Sequence, residues 1–417
     1  MTIKDSLQNK NFLKGDLVVW MIFIMLCMIS IVEVYSASSQ MTYRSGNYWE
    51  PIRTHATFVM VGVGITWIIH LLPCNIFKAA CTLLLHFLAY PMLIYVLVAG
   101  TTLNEASRWI KIAGITIQPS EIAKVCLIGF VAFVLSTLRN KGKAAKPAYL
   151  IAGIETLLVV LLIASENLST AGLIAAVMFC LAFIARVPGK VLGWIGGSAL
   201  AVIISGLLFA HKCPDSLLNE LSSKKYESTI LHRVPVWVNR IRASDKLPQD
   251  PNDYVINDGN MQVTHAQIAV ATCNIVGKGP GNSVQRDYLP QAFSDFIYAI
   301  IIEEGGIAFG ALVMFLYLLL LWRAMKIAER CRHRFPAYLV MGLALMMVSQ
   351  AMINMAVAVG AIPVTGQTLP LISKGGTSTF ICCTYIGMIL SVSRSAKRKE
   401  IEKEEEIQPE TIEAQQL

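Results

Sequence analysis

The chain has 417 residues, of which 55% are hydrophobic and only 15% are charged, whereas soluble domains average about 25% charged residues. This balance excludes a soluble multidomain protein and indicates a membrane protein. The net charge of +8 does not call for a nucleic-acid partner, because the position of the basic residues along the chain accounts for it.

Long apolar runs follow one another along the chain, and most reach the ~20 residues that cross a bilayer. We therefore predict an all-α polytopic membrane protein with about ten transmembrane helices. The fifth and sixth runs are so close that they form either a tight hairpin or one misassigned pair. The runs lie at 17–37, 55–72, 77–100, 119–138, 148–165, 170–187, 190–211, 296–322, 337–361 and 377–393.

Basic residues are concentrated in alternate loops. The short loops and termini on one side carry 19 Lys or Arg, and those on the other side carry five. By the positive-inside rule, both termini are cytoplasmic. The predicted parts are a cytoplasmic N-terminus (1–16), transmembrane helices 1–7 (17–211), a large extracytoplasmic loop (212–295), helices 8–10 (296–394) and a disordered acidic cytoplasmic tail (395–417).

The large loop contains two apolar pieces. "STILHRVPVWVNRIRAS" is amphipathic and suits the level of the lipid headgroups. "HAQIAVATCNIVGKGPGN" is too short to span and indicates a re-entrant or interfacial helix. Cys213 and Cys273 also fall in this loop, where they form either a disulfide or, as we favour, two free small apolar residues.

The fourth helix begins in "IQPSEIAKV", where Pro119 suits the first helical turn. Glu121 and Lys124 are three residues apart and share one face. A lone ammonium inside a membrane is costly, so Lys124 needs a partner or water. We weigh a pair with Asp295 evenly against snorkelling or a local pair with Glu121.

Carboxylates also mark the eighth helix in "QRDYLPQAFSDFIYAIIIEEGG". Asp295 lies at its outer boundary, and Glu303 lies about 12 Å deeper and about 80° round the helix. These acids therefore cannot form a local acid/base pair. For Glu303 and Glu304 we favour a structural role, with the carboxylates satisfied by Arg, Lys or backbone amides, over a functional one.

The last outer loop, "GAIPVTGQTLPLISKGGTST", has too many Pro and Gly residues for a helix. Such backbone is tolerated at membrane depth when it is buried in protein or lines a cavity. Its amides, with Ser373, Thr377 and Ser378, suit an anionic headgroup. The alternative is a plain exposed loop.

The chain has no P-loop and no dinucleotide fingerprint, so an enzyme working outside would need a donor that carries its own activation, such as a lipid-linked pyrophosphate.

Three blocks resemble the signature blocks of the SEDS family (shape, elongation, division, sporulation): "RWIKIAGITIQPSEIAKV", "GKGPGNSVQRDYLPQAFSDFIYAIIIEEGG" and "INMAVAVGAIPVTGQTLPLISKGGTS". The resemblance spans 17–394. It implies a ten-helix protein of the bacterial inner membrane, a peptidoglycan glycosyltransferase that polymerises lipid II on the outer face and releases undecaprenyl pyrophosphate. "GNSVQRDYLP" is more similar to division members than to elongation members.

The resemblance also implies roles for residues. The essential acid falls on Asp295, which would act as general base in an inverting displacement. Glu303, Glu304 and Glu166 are structural or supporting acids. The developing pyrophosphate charge requires cations, either basic side chains or a divalent metal (Mg²⁺ or Mn²⁺) bound mainly through substrate phosphates. Together with the loop residues above, the substrate-binding candidates are Arg108, Trp109, Lys111, Gln118, Ser120, Glu121, Lys124, Ser373, Lys374, Thr377 and Ser378.

Three stretches depart from the family pattern. Asn167 replaces an acid, which puts the role of that acid in doubt, although Glu166 is a candidate substitute. The family's Pro-Glu-Ala-His is Pro-Gln-Ala-Phe at 290–293, so an acid and a histidine are lost. Lys374 stands where an aromatic residue is usual.

The resemblance implies a monofunctional penicillin-binding transpeptidase and other division proteins as partners, besides lipid II and membrane lipid. Two other classes remain open: a lipid II flippase and a non-enzymatic division scaffold. A flippase should distribute its essential charges through the membrane. The clustering of Asp295, Arg108 and Lys124 at the outer side favours the enzyme.

Overall fold

A computed structural model of the chain describes residues 14–37, 49–99, 101–103, 106–112, 115–140, 142–221, 234–235, 237–238, 242, 256, 260–289 and 292–413. It describes the backbone alone at 50–51, 99, 101–103, 106–108, 111–112, 115, 219 and 397–413.

Within the described residues, nine helices are long and apolar enough to cross a membrane, and Leu168–Ile184 is a shorter apolar helix. The helices are α1 (Leu17–Ala37), α2 (Glu50–Leu71), α3 (Cys74–Leu84, a π-helical turn Leu85–Ala89, then Tyr90–Ala99), α4 (Pro119–Thr137), α5 (Lys146–Ala164), α6 (Leu168–Ile184), α7 (Gly189–Lys212), α8 (Asp215–Leu221), α9 (Met261–Ala271), α10 (Ile297–Arg330), α11 (Arg334–Ala358) and α12 (Gly376–Glu413). The prediction of a helical, multi-pass membrane protein is confirmed.

The close fifth and sixth runs are separate helices, α5 and α6, joined by residues 165–167, so the tight hairpin is the correct alternative. At 17 residues, α6 is the shortest of the apolar helices that correspond to the ten runs.

The centre of the bundle is α4. Of its most apolar stretch, 78% is buried, against 67% for α11 and α12 and only 6% for α7. The α4 helix packs on α3, α5 and α11, whereas α7 contacts mainly α6. Because α4 carries Glu121 and Lys124, the sequence places two charged residues in the best-shielded element of the fold.

A small sheet between α3 and α4 was not predicted. Strands β1 (Thr101–Leu103), β2 (Ala106–Ile112) and β3 (Ile115–Ile117) form it in antiparallel order, with Ile110 opposite Ile117. The segment "RWIKIAGITI" is rich in β-branched and aromatic residues, which favour strands. These short strands are additions to a mainly helical fold, as are the two-residue strands β4 (Arg139–Asn140) and β5 (Lys143–Ala144).

The tail predicted to be disordered from 395 instead continues α12 as far as Glu413. Its abundant Glu and Lys are good helix formers. In the large loop, the short apolar piece forms α9, which has 11 residues and packs on α10 and α11. Cys213 and Cys273 are free, as favoured. The amphipathic piece at 228–244 lies mostly outside the described residues.

The α10 helix is broken at Gly306, which has φ 81° and ψ 174°. The segment after α9 runs through this break. The Ile307 amide donates to Asn274 O at 3.1 Å, and the Gly279 amide donates to Glu304 O at 2.8 Å. A Cβ on Gly306 would lie 2.2 Å from Ile275 O, so only glycine fits the close approach. Backbone groups freed by the break are thus satisfied by protein.

Candidate active site

Asp295 precedes the first turn of α10 and is half-buried. The Ser294 hydroxyl donates to its Oδ1 at 3.0 Å, and the Asn354 side-chain amide of α11 donates to its backbone carbonyl at 2.8 Å. A carboxylate next to a helix N-terminus is stabilised by the helix dipole. The position therefore favours an ionised, partly accessible carboxylate.

The loop between α11 and α12 is extended, and its residues 367 and 369–373 are buried. Side chains from several helices satisfy its carbonyls. Asn354 donates to Gln367 O at 2.7 Å, Ser30 donates to Ile372 O at 2.8 Å, and Tyr317 donates to Pro370 O. This part of the loop is buried in protein, as predicted, so the plain exposed loop is the wrong alternative for it.

The end of this loop is bonded to the segment that carries Asp295. The buried Ser373 hydroxyl donates to Ser294 O at 2.6 Å, and the Lys374 amide donates to Phe293 O at 2.9 Å. The Lys374 ammonium lies 5.4 Å from the centre of the Phe293 ring. Burial lowers the pKa of Lys374 below its ordinary value. The loop and the start of α10 therefore form one bonded unit.

Lys124 is completely buried, with 0% of its surface exposed. Its ammonium donates to Glu121 at 2.7 Å and to Gln350 of α11 at 2.8 Å. The local pair with Glu121, weighed against a pair with Asp295, is the arrangement that the structure has. Since both bonds of the ammonium are to protein groups and the side chain is fully buried, the structure does not expose Lys124 to a ligand, and its role in substrate binding stays a prediction.

Gln350 and Asn354 connect the two charged regions. They lie four residues apart on α11 and share one face. Gln350 receives the Lys124 ammonium and donates to Thr368 O at 3.1 Å. Lys124 and Asp295 thus meet the same helix and the same loop. The two residues escaped the sequence analysis, although polar side chains in the apolar run "SQAMINMAVAVG" were a usable signal.

The other candidates divide by accessibility. Ser120 and Glu121 are buried at the start of α4, and Ser373 is buried in the loop. The half-buried candidates, which have surface left for a ligand, are Trp109, Gln118, Lys374, Thr377 and Ser378. Arg108 and Lys111 belong to strand β2, but their side chains lie outside the described residues.

The first turn of α12 faces the loop between α11 and α12. Thr377 and Ser378 lie there, and the Ser378 hydroxyl is 3.5 Å from that of Thr368. Strand β3 packs against α12, which brings the sheet of Trp109 toward this helix. Free amides at a helix N-terminus suit an anion.

Glu303 and Glu304 are enclosed by the glycine loop, residues 274–287. Lys278 donates to Glu303 at 2.6 Å, as do the amides of Val284 at 3.1 Å and Gln285 at 3.2 Å. Glu304 accepts from the amides of Gly281 and Ser283, at 3.0 and 3.3 Å. These are the backbone and lysine contacts that a structural role requires.

Asn167 is the N-cap of α6, and its side chain accepts from the Thr170 amide at 3.1 Å. Asn and Asp are equally good N-caps, so the loss of the family's acid leaves this capping intact. The Thr170 hydroxyl accepts from Gln367 of the loop at 2.6 Å, which fixes α6 to the site. Glu166 lies immediately before the cap.

No group of three or more His, Cys, Asp or Glu residues converges on a metal position in the part of the chain that the structure describes. The residues present therefore fit a metal only if other oxygens complete its coordination.

Comparison with known proteins gives consistent results. A family model described as cell cycle protein, covering FtsW, RodA and SpoVE, matches residues 16–398. The probable peptidoglycan glycosyltransferase FtsW of Halomonas elongata is 32% identical over 415 residues, covering 95% of this chain and 96% of that protein. The protein of the same name from Bacillus subtilis is 31% identical over 336 residues, covering 78% and 76%.

Among solved structures, a chain of a peptidoglycan synthase complex that coordinates polymerization and crosslinking superposes with a TM-score of 0.69. The rod shape determining protein RodA of Thermus thermophilus gives 0.62. Each is 22% identical and covers 92% of this chain, and each is covered to 98%. At this identity the likeness supports the fold alone.

Proposed function

Because the chain belongs to the SEDS family of cell cycle proteins that includes FtsW, RodA and SpoVE, we propose that it is a peptidoglycan glycosyltransferase of the FtsW type. It polymerises lipid II into glycan strands on the outer face of the bacterial cytoplasmic membrane during division. The observation that carries the assignment to this site is the half-buried Asp295, which precedes α10 and has its backbone bonded to Asn354.

Asp295 is the general base of the proposed reaction. Its carboxylate accepts the proton of the acceptor's sugar 4-hydroxyl as that oxygen attacks the anomeric carbon of the donor. The bond from that carbon to the pyrophosphate breaks, undecaprenyl pyrophosphate leaves, and the configuration inverts. The Ser294 hydroxyl and the start of α10 favour the ionised carboxylate that this step needs.

The leaving pyrophosphate gains negative charge, and hydrogen-bond donors and cations would stabilise it. Lys374 lies just before α12, and Thr377 and Ser378 lie in its first turn. Arg108 and Lys111, which belong to strand β2, stay candidates from the sequence. A divalent cation, Mg²⁺ or Mn²⁺, would be held mainly by phosphate oxygens and would neutralise the same developing charge.

Partners follow from the proposed reaction. Glycan strands need crosslinking, so a monofunctional penicillin-binding transpeptidase and other division proteins are the expected partners. The peptidoglycan synthase complex among the structural relatives, which couples polymerization and crosslinking, supports such an assembly.

The test is lipid II polymerisation by the purified protein, alone and with its transpeptidase, in the presence of Mg²⁺ or Mn²⁺. Asp295→Asn and Asp295→Ala are compared with Asp287→Asn, which removes a more exposed carboxylate eight residues earlier. We expect polymer from the wild type and Asp287→Asn and none from either Asp295 variant.

Polymer from Asp295→Asn at the wild-type rate would remove Asp295 as the base. No polymer from any form, together with lipid II translocation in liposomes, would favour the flippase. If neither activity appears, the scaffold becomes the better interpretation.

A further inference from the structure

Glu33 is an intramembrane carboxylate that the proposed reaction does not use. It lies near the end of α1, is 3% exposed, and its Oε2 has no hydrogen-bond partner among the described residues. An ionised carboxylate shielded from water is costly unless a donor or a cation reaches it. The Glu33 carboxylate therefore needs a hydrogen-bond donor that the described residues do not supply.

A cavity of about 300 Å³ opens beside this carboxylate. Its volume is at the lower end of the ~300–1,000 Å³ typical of small-molecule sites. Its wall comes from α1, from the glycine loop and from the break in α10, and it is mainly apolar. The lining residues include Met28, Val32, Glu33, Pro280, Glu304 and Phe309.

The second carboxylate of the cavity, Glu304, is already compensated. It accepts hydrogen bonds from the Ser36 hydroxyl and from the Gly281 and Ser283 amides. The Arg286 guanidinium lies 3.9 Å from its Oε1. Of the two carboxylates that line the cavity, it is therefore Glu33 that lacks a hydrogen-bond donor. A metal ion is a poor fit, since the oxygens of Glu304 are engaged and the remaining wall is mainly apolar.

An exposed apolar stripe leads along α1 toward the cavity. Met21, Met25, Met28 and Val32 are spaced by three and four residues, so they share one helix face. Each is at least 42% exposed. Methionine side chains adapt to irregular apolar shapes. A hydrocarbon chain that lies on this stripe ends with its polar head at Glu33.

We propose that this cavity binds one phospholipid with a primary ammonium headgroup. The ammonium donates to Glu33, and one acyl chain lies along the stripe. A quaternary ammonium has no N–H to donate, and an anionic headgroup without an amine would be repelled by the Glu33 carboxylate. The site thus selects phosphatidylethanolamine over phosphatidylcholine, although both are zwitterionic.

The experiment measures lipid retention without any peptidoglycan substrate, so that its result is separate from the proposed glycosyltransferase activity. The protein is reconstituted in nanodiscs of equal phosphatidylethanolamine and phosphatidylcholine, and retained lipid is identified by non-denaturing mass spectrometry. The variants are Glu33→Gln, which removes the charge, and Val32→Trp, which fills the cavity but keeps the charge. Glu155→Gln is the matched control, because Glu155 is another intramembrane carboxylate that already accepts from Tyr90.

We expect the wild type and Glu155→Gln to retain about tenfold more phosphatidylethanolamine than phosphatidylcholine, the effect of one charge-assisted hydrogen bond. Glu33→Gln and Val32→Trp should retain both lipids equally. A wild-type ratio near one would overturn the proposal, and would leave a lysine of a partner chain as the candidate for Glu33. An unchanged preference in Glu33→Gln would overturn it equally.

Discussion

Replacement of Lys124 by methionine should reveal how much the buried ion pair stabilises the fold. Methionine keeps most of the volume, so the cavity contribution is small. The loss leaves Glu121 buried and without its cation, and removes a charge-assisted hydrogen bond to Gln350. Breaking one side of a buried pair costs about 3–5 kcal/mol, and we expect the free energy of unfolding to fall by that amount.

The double variant Lys124→Met with Glu121→Gln removes both charges. Replacing a buried pair by neutral groups is often close to neutral. We therefore expect the double variant to be more stable than Lys124→Met alone by about 2 kcal/mol or more. Lys326→Met is the control, since Lys326 pairs with Glu329 at 3.1 Å on an exposed surface. Such a pair contributes about 0–1 kcal/mol.

The assay is unfolding in mixed micelles with increasing dodecyl sulfate, followed by the fluorescence of the seven tryptophans. The reasoning fails if Lys124→Met costs no more than Lys326→Met. It also fails if the costs of Lys124→Met and Glu121→Gln simply add. Coupling of Lys124 to Asp295→Asn instead would restore the direct pair that the sequence analysis weighed.

Three further outcomes are expected. Gly306→Ala should lower the free energy of unfolding by at least about 3 kcal/mol, because the positive φ suits glycine and the new Cβ would collide with Ile275 O. Gly172→Ala is the control: its Cβ would have nothing within 4 Å, so this change should be neutral or stabilising in the same assay. Asn167→Ala should cost about 1 kcal/mol and Asn167→Asp almost nothing in thermal unfolding, and equal losses would exclude the capping role. The pKa of Lys374 is lowered in the folded protein. Between that lowered pKa and the ordinary value near ~10.4, the unfolded chain binds more protons than the folded one, so the free energy of unfolding should rise with pH across this alkaline interval. Lys374→Met should lose that rise in unfolding measured against pH, and an unchanged slope would assign the effect to another group.

Hydropathy located the helices well because each apolar run has to cover the same hydrocarbon thickness. The small sheet was missed for a related reason. In "RWIKIAGITI" the strands are three to seven residues long, and they connect two long helical segments whose signal dominates any window. Strand preference depends on neighbours that a single sequence does not show.

The sequence does not decide the partner of Lys124, because it gives depth along a helix but not the direction in which neighbouring helices face it. Spacing places Glu121 on the same face, and the topology places Asp295 at a similar depth. What decides between them is Gln350, which fills the other side of the ammonium. Its position depends on how α11 packs on α4, which follows from the whole bundle.

The break at Gly306 was also beyond the sequence analysis. The glycines in "EEGG" were visible, but a helix tolerates a glycine at a modest cost. The break needs its complement, the "NIVGKGPGNS" stretch, whose own glycines let two backbones touch. The glycines of either segment alone are a weak signal in the sequence. Their role is visible only from the contact between the two segments in the folded protein.

The order of these pieces along the chain has a consequence for how the protein is made. The glycine loop precedes α10, so it is synthesised and released before Glu303 and Glu304 emerge. Synthesis proceeds from the N-terminus at about 5–20 residues per second. The lysine and the amides that bind these two carboxylates in the folded protein are therefore made before the carboxylates themselves. A circular permutation that placed this loop after α10 would reverse the order of synthesis. The α10 helix would then insert before the groups that bind Glu303 and Glu304 had been made.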